Sequence, residues 1–441
     1  MSNSKKFLSV FSKIKNEVLL HVAPSKKELL SETAFAQNLA SIFSKHLPPG
    51  VTPSITGSVA KRTFISGNNE VDLFLLFPKN VSKDDFESIL ISLLSKALPG
   101  VGYQLSYAEH PYLRFHYKNH RIDLVPAYKI SNSSQMLSAV DRSILHTKFI
   151  RRALPSSAIP EVLLLKKFLK ANSLYGAEIK IQGFSGYLCE LLIVYFGSFV
   201  KMASFFASNK PPYVLDIAKF YTKDEYSILT KRFGFFVVID PTDRDRNVSA
   251  AISKENLEKF QFLCKKFLKN PNKELFLCTP PSFEECVSLD KSKFKILVSM
   301  PRPNVVADVL WGQIRKLMGQ ISSSLPEYKV NSIFSDDSRH LIRIFVGSNS
   351  DSFGGKITIR GPPKKMVEHI KKFKSSHKSA KFVFNGGYIF AQKSIPSVSI
   401  STALHNFFEK YSKTSNSHIN YPPDLIVIES ISKSKKKKTK I

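Results

Sequence analysis

Acidic residues are scarce in this chain of 441 residues: 35 Asp and Glu stand against 65 Lys and Arg, a formal net charge of +30. That balance points to a polyanionic partner, because basic side chains that neutralise phosphates release condensed counterions. It far exceeds the magnitude of about 2–8 that suits the solubility of a small domain. Cysteine is sparse as well. Cys189, Cys264, Cys278 and Cys286 form no CxxC pair and have no nearby His, which argues against a zinc site or a disulfide framework. Reduced thiols in a cytoplasmic protein are the expectation. Long apolar runs are missing too. The most apolar stretch, Tyr187 to Val200, falls short of the roughly 20 residues a membrane span needs and contains Glu190. Lys13 and Lys15 interrupt the apolar run after Lys5 and Lys6, so the start does not read as a signal peptide, and no membrane partner is expected. Phenylalanine, by contrast, is plentiful at 35 residues and supplies much of the core.

The length suits about three domains. Phe7, Val10, Phe11, Ile14, Val18 and Val22 recur at helical spacing, and Pro24 ends that run. Ser25-Lys26-Lys27-Glu28 reads as a capping box that opens a second helix. Strand signals follow at 54–56, 71–77, 104–107, 113–117 and 122–125, with a helix over 84–98, and together these make an α/β region of about 150 residues. From Pro155 the pattern turns helical. Pro160 suits a first turn, Gly176 a stop, and Ser185 a cap for a helix over 186–196. Another helix covers 256–268. Beyond Pro281 strands (294–298, 341–346, 356–360, 382–384, 388–391) alternate with helices (305–321, 365–373, 398–411). Residues 433–440 carry six lysines and no apolar residue, and are expected to be disordered and to add nonspecific RNA affinity.

The chemistry concentrates in Gly57-Ser58 and Glu70-Val71-Asp72, separated by eleven residues. Side chains alternate along a strand, so Glu70 and Asp72 point the same way. Beyond them Phe74 and Leu76 lie on one face and Leu73, Leu75 and Phe77 on the other, as in a strand buried on both sides. Asp123, between Ile122 and Leu124, stands alone on its face of another strand. Taken alone, an acid-x-acid pair is an ordinary solvated strand end. A Gly-Ser turn that opens a helix upstream changes that, because it offers backbone N–H groups to a phosphate. Carboxylates gathered on adjacent strands repel unless a cation lies between them. Magnesium fits, since it keeps few protein ligands and completes its shell with phosphate oxygens; three such acids could hold two ions about 3.5–4 Å apart.

This constellation resembles the nucleotidyltransferase superfamily of the DNA polymerase β type. Longer stretches resemble the archaeal class I CCA-adding enzymes: Tyr107 to Tyr112, Ser138 to Arg142, Lys170-Ala171-Asn172 with Tyr175 to Glu178, Gly183 to Leu192, and Asp240-Pro241 with Arg246-Asn247-Val248. The resemblance is close over 57–250 and thins to scattered anchors afterwards. It implies an α+β multidomain fold: a polymerase β-like head over 1–150, a helical neck over 151–278, a tRNA-binding tail over 279–385, and a return to the body over 386–441. It implies Glu70, Asp72 and Asp123 as metal ligands for two Mg2+ ions, with Asp123 also steering the tRNA 3′ hydroxyl. Gly57 and Ser58 belong to the phosphate-facing turn. Ser58, Lys61, His146, Lys166 and Tyr175 fall where the family contacts the triphosphate, and Arg246 where it frames the base. Lys61 replaces a commoner arginine, which keeps the charge but loses the planar fork.

The resemblance therefore implies template-independent addition of C, C and A from CTP and ATP to the 3′ end of tRNA, with the acceptor and TΨC half of tRNA read by shape, and a homodimer. Other readings stay open. A poly(A) or poly(U) polymerase would share the metal site, and a catalytically inactive relative would keep only the basic surface. Without the family match, His110 and His146 are ordinary packed or surface histidines, and Lys166 and Lys170 a solvated helix stripe. The match leaves Lys170 undecided. Trp311 and Tyr388 are core or RNA-stacking residues.

Overall fold

The computed structural model describes residues 2–107 and 109–431; the lysine run 433–440 lies outside the described residues. The chain divides into two compact units, Met1–Pro280 and Pro281–Ile441. The first contains α1 (Ser2–Val22), α2 (Lys26–Ser44), β1 (Thr52–Ile55), α3 (Gly57–Lys61), β2 (Glu70–Phe77), α4 (Phe86–Ala97), β3 (Tyr103–Tyr107), β4 (Pro111–Tyr117), β5 (His120–Tyr128) and α5 (Arg142–Ala153). It continues with α6 (Ile159–Ala171), α7 (Gly186–Phe196), α8 (Phe199–Ser208), β6 (Tyr213–Asp216), α9 (Tyr226–Phe233), β7 (Phe236–Asp240), β8 (Asp243–Asn247), α10 (Lys254–Lys269) and α11 (Glu274–Leu277).

Five strands form one sheet in the order β1-β2-β5-β4-β3. Only β2 and β5 run parallel, with Asp72 opposite Asp123 and Glu70 opposite Arg121. The sequence of β2 explains its central place. Leu73, Leu75 and Phe77 join Ala36, Leu39 and Phe43 of α2 and Leu90, Leu93 and Leu94 of α4 in one core. Phe74 turns the other way, to Val125, Ala127 and Ile144. A strand covered on both faces can be apolar on both, which leaves its polar residues at its mouth.

The helical part has its own core. Phe11, Ile14, Val18 and Val22 of α1, although first in the chain, pack there with Val162, Leu165, Phe168 and Leu169 of α6. Phenylalanine dominates: the Phe168 ring lies 5.3 Å from Phe199 and 5.3 Å from Phe276. A small sheet, β6-β7-β8, closes this part. Its strands are four or five residues long, and β7 (FVVID) is buried throughout, so no alternation betrayed it. α7 and α8 meet at a 90° bend; no single described helix is long and apolar enough to cross a membrane.

Two local expectations are corrected. The helix begun near Pro160 ends at Ala171, not Gly176. Ser173 takes a positive φ of 57°, and the following chain pairs back, Gly176 N–H donating to the Phe184 carbonyl. Ser25 does cap α2 by accepting from the Glu28 N–H, but Glu28 does not reciprocate. Its carboxylate instead accepts from the Ser66 hydroxyl and Gly67 N–H, both at 2.8 Å, and so ties α2 to the turn before β2. Ser185 caps α7 as expected.

The second unit comprises α12 (Phe283–Leu289), β9 (Phe294–Pro301), α13 (Ala307–Ser324), β10 (Val330–Asp337), β11 (Leu341–Ser348), β12 (Ser352–Pro363), α14 (Val367–Ser376), β13 (Lys381–Asn385), β14 (Tyr388–Ser399), α15 (Ile400–Thr414) and β15 (Val427–Ser430). Its two sheets have the orders β10-β11-β9-β15 and β12-β14-β13. β10 was not anticipated, because it alternates no apolar face and none of its residues is fully buried. Trp311 is a core residue on the buried side of α13, with Leu310, Ile314 and Leu317. Tyr388 lies under the Arg360 guanidinium, 3.7 Å from ring centroid to carbon.

The aromatic packing of the helical core yields a stability prediction. Phe168→Ala should cost about 3–5 kcal/mol, the usual range for emptying a buried Phe site, in urea unfolding of the full chain. A loss under about 1 kcal/mol would mean the ring is not the keystone its neighbours suggest.

Candidate active site

A cavity of about 480 Å³ opens at the mouth of β2. Seven of the expected residues line it: Gly57, Ser58, Lys61, Glu70, Asp72, Lys166 and Tyr175. Asn68, Arg121, Lys170, Tyr187 and Glu190 join them. Asp123, His146 and Arg246 are not on its wall.

Gly57 is where the backbone requires glycine. Its φ is +67°, and a Cβ there would sit 1.7 Å from Asp72 Oδ2. The turn is held against β2 by the Thr56 N–H, which donates to the Asp72 carbonyl at 3.0 Å. Close approach of the Gly-Ser turn and the carboxylate is thus one feature, legible as a missing side chain.

Burial and the neighbouring Asp123 push the Asp72 carboxyl up to about 6; Glu70 adds to the rise, while Lys61 and Arg121 oppose it. The two other acids are answered by arginines. Arg114 on β4 donates to Asp123 through Nε and Nη2, each at 2.7 Å, and that bond holds the guanidinium pKa above its ordinary value despite burial. Arg121 Nη1 lies 2.8 Å from Glu70. Turned this way, the acids do not converge, and among the described residues no three His, Cys, Asp or Glu form a metal cage. The donor set still suits a hard divalent cation: oxygen ligands only, and an Asp72 whose raised pKa records a charge short of compensation.

Two further carboxylates organise the positive charge. Glu190 is wholly buried and accepts from Lys61 Nζ at 2.5 Å and from the Thr63 hydroxyl. Lys166 is no solvated stripe: at 2% exposure it donates to the Thr63 carbonyl at 2.8 Å and lies 3.5 Å from Glu190. Burial lowers its pKa, and Glu190 opposes that fall. Lys170, exposed one turn on, lies 5.1 Å from the Tyr175 ring centroid. The second hub is Asp240, also wholly buried. It accepts from His146 Nε2 at 2.8 Å, Arg246 Nη1 at 2.8 Å, the Tyr187 hydroxyl at 3.1 Å and the Thr242 N–H at 2.9 Å. The His146 ring stacks on Tyr187 at 3.8 Å, so His146 and Arg246 stand behind a residue that does line the cavity. His110 is a packed histidine, 4% exposed, edge-on to Phe86 at 5.3 Å.

Sequence reasoning assigned no role to Glu190, Asp240, Tyr187, Arg114 or Arg121. Glu190 did leave a signal, a lone charge in an otherwise apolar run. Asp240 closes a fully buried strand, which an unpartnered acid would not do.

A Gly-Ser turn is pressed against one strand carboxylate, with a second acid on that strand and a third in register on its parallel neighbour, the arrangement the sequence led us to expect of a nucleotidyltransferase. The family model described as tRNA nucleotidyltransferase, second domain, matches residues 160–277. The CCA-adding enzyme of Methanocaldococcus jannaschii is 35% identical over 337 residues, 74% of this chain and 75% of that one. That of Methanosarcina mazei is 33% identical over 395 residues, covering 86% and 85%. That of Sulfurisphaera tokodaii is 31% identical over 351 residues, covering 79% and 81%. The chain belongs to the CCA-adding enzyme family of tRNA nucleotidyltransferases. A solved structure of the Cid1 poly(U) polymerase with Mg and 3′-dATP bound is a looser likeness, with a TM-score of 0.48 and 16% identity over 60% of this chain and 98% of that one.

Gly57→Ala should drive Asp72 off its position. The expected loss of nucleotide incorporation is about 10²-fold, the penalty of an ångström-scale misplacement, and the strained positive φ should also lower the melting temperature by a few degrees. Activity within a few-fold of the parent would refute the close-approach explanation.

Proposed function

We propose that this protein adds C, C and A, from CTP and ATP, to the 3′ end of tRNA. The observation that carries the reading is the in-register pair Asp72 and Asp123, with Asp72 and Glu70 on the wall of a cavity that Lys61, Arg121, Lys166 and Lys170 also line. Glu70, Asp72 and Asp123 are the residues that would hold two Mg2+ ions. Bound there, the ions would activate the tRNA 3′ hydroxyl and neutralise the departing pyrophosphate. The chain's own residues position the parts. Gly57 and Ser58 offer the turn, and Ser58, Lys61, Lys166 and Tyr175 line the space for the triphosphate. Asp123, in this reading, also orients the 3′ hydroxyl. Much of the acceleration then comes from alignment rather than from covalent chemistry.

Base choice has a hydrogen-bond logic. Cytosine and adenine both present an amino donor beside a ring-nitrogen acceptor; uracil and guanine present a carbonyl acceptor beside an N–H donor. Arg246 can only donate. Held through Nη1 by Asp240, it would satisfy the ring acceptor of C and A and leave the N–H of U and G unpaired, which is a strong basis for rejection. His146, on the same carboxylate, would serve the triphosphate end. The exposed Lys364, Lys365, Lys371 and Lys372 of the second unit supply basic surface for the acceptor and TΨC half of tRNA, recognised by shape. A cytoplasmic location and a homodimer belong to the same reading.

The test is incorporation into labelled tRNA ending at the discriminator base, with magnesium and each nucleotide singly and together. Asp72→Ala serves as the blank. Two residues from CTP alone and three from CTP plus ATP are expected, and Arg246→Ala should admit UTP or GTP. Long tails from one nucleotide would move the function to a homopolymer-adding enzyme. No incorporation despite tight tRNA binding would mark an inactive relative.

A further inference from the structure

Glu190 is the one charge in the buried run Leu188 to Ile193 of α7, and nothing in its packing calls for a carboxylate. Its partners do. Lys61 reaches it from α3, Lys166 from α6, and Thr63 from the loop between α3 and β2. Burial raises the Glu190 pKa, but the two lysines bring it below the ordinary value, so the group is ionised.

The two lysines are not equivalent. Lys166 Nζ has three acceptors, the Thr63 carbonyl at 2.8 Å, the Thr63 hydroxyl at 3.2 Å and Glu190, so its three protons are accounted for. Lys61 Nζ has one hydrogen-bond partner among the described residues, Glu190; it also lies 5.9 Å from the Tyr187 ring centroid and lines the cavity. One carboxylate between two ammonium groups leaves this three-residue cluster with a net positive charge. Without that carboxylate, two like charges would share a site that is nearly closed to water. There Lys166 would shed its proton and Lys61 would lose its tether.

We propose that Glu190 is a positioning residue for the nucleotide triphosphate: from behind the cavity wall it anchors Lys61 and Lys166 and fixes where their ammonium groups stand. The proposal rests on the reading that a triphosphate occupies this cavity, and of the two lysines it makes Lys61, with fewer protein partners, the more sensitive to loss of the carboxylate.

The experiment uses the full chain and two readouts. Calorimetry with magnesium and inorganic tripolyphosphate reports on the phosphate subsite without turnover; steady-state kinetics give the KM for CTP and kcat. Glu190→Gln should weaken tripolyphosphate and raise the CTP KM by about tenfold each, with kcat at saturating CTP within about threefold, the pattern of lost uniform binding. Thr63→Val, which keeps the volume but removes one hydrogen bond to Glu190 and one to Lys166, should give a smaller shift in the same direction, and it decides the matter if Glu190→Gln does not fold. Unchanged tripolyphosphate affinity in the folded variants, or a fall in kcat with KM unchanged, would overturn the proposal. An unexpected product in the incorporation assay would not affect this test, because tripolyphosphate binding requires no reaction.

Discussion

Asp72 and Asp123 stand level on two parallel strands, and like charges so placed in a half-buried site need compensation. Much of the neighbouring architecture answers that need. Arg114, directly opposite Asp123 on the adjacent strand β4, takes that acid, and Arg121, directly opposite Glu70, takes the other. Asp72 is left with the raised pKa and with the Gly57 turn pressed against its oxygen. The least compensated acid is therefore the one nearest the Gly57-Ser58 turn, where on the proposed function a divalent cation and a triphosphate would meet.

The positive charge is organised by the same rule with signs reversed. Basic groups gathered on and behind the cavity wall would repel one another, and each group is built around a buried acid: Glu190 for Lys61 and Lys166, Asp240 for His146 and Arg246. These acids lie on the helical part while several of their partners lie on or beside the five-stranded sheet. The ion clusters thus also fasten the two halves of the first unit across the cavity. A buried acid with this many donors is a costly arrangement for stability alone, since an apolar replacement would often serve as well. Its value is geometric.

The sequence made some of this legible for clear reasons. β2 could be read because both of its faces are apolar beyond two acids, and α7 because Ser185 and an apolar run frame it. The α+β multidomain class was implied by the family resemblance. The small β6-β7-β8 sheet could not be read, because its strands are short and β7 is buried throughout, which leaves no period to detect. In the site, the acids at the strand mouth were visible as acids in an apolar context. Their partners were not. Arg114 and Arg121 become meaningful only once the strand order and register are known, and Glu190 only once α3 and α6 are placed beside α7. Lys166 shows the limit from the other side: its spacing from Lys170 suggests a solvated stripe, and tertiary packing buries it instead.

The central claim is that the Asp72–Asp123 pair is built for a divalent cation carried with a nucleotide. The direct measurement is thermal melting of the parent and Asp72→Asn, first in chelator and then with magnesium plus CTP. Relief of a poorly compensated buried charge should make Asp72→Asn melt higher than the parent in chelator. Magnesium plus CTP should then raise the parent's melting temperature and leave the variant's nearly unmoved, because ligand stabilisation follows site affinity. A variant that gains as much from magnesium and CTP as the parent does would contradict the account.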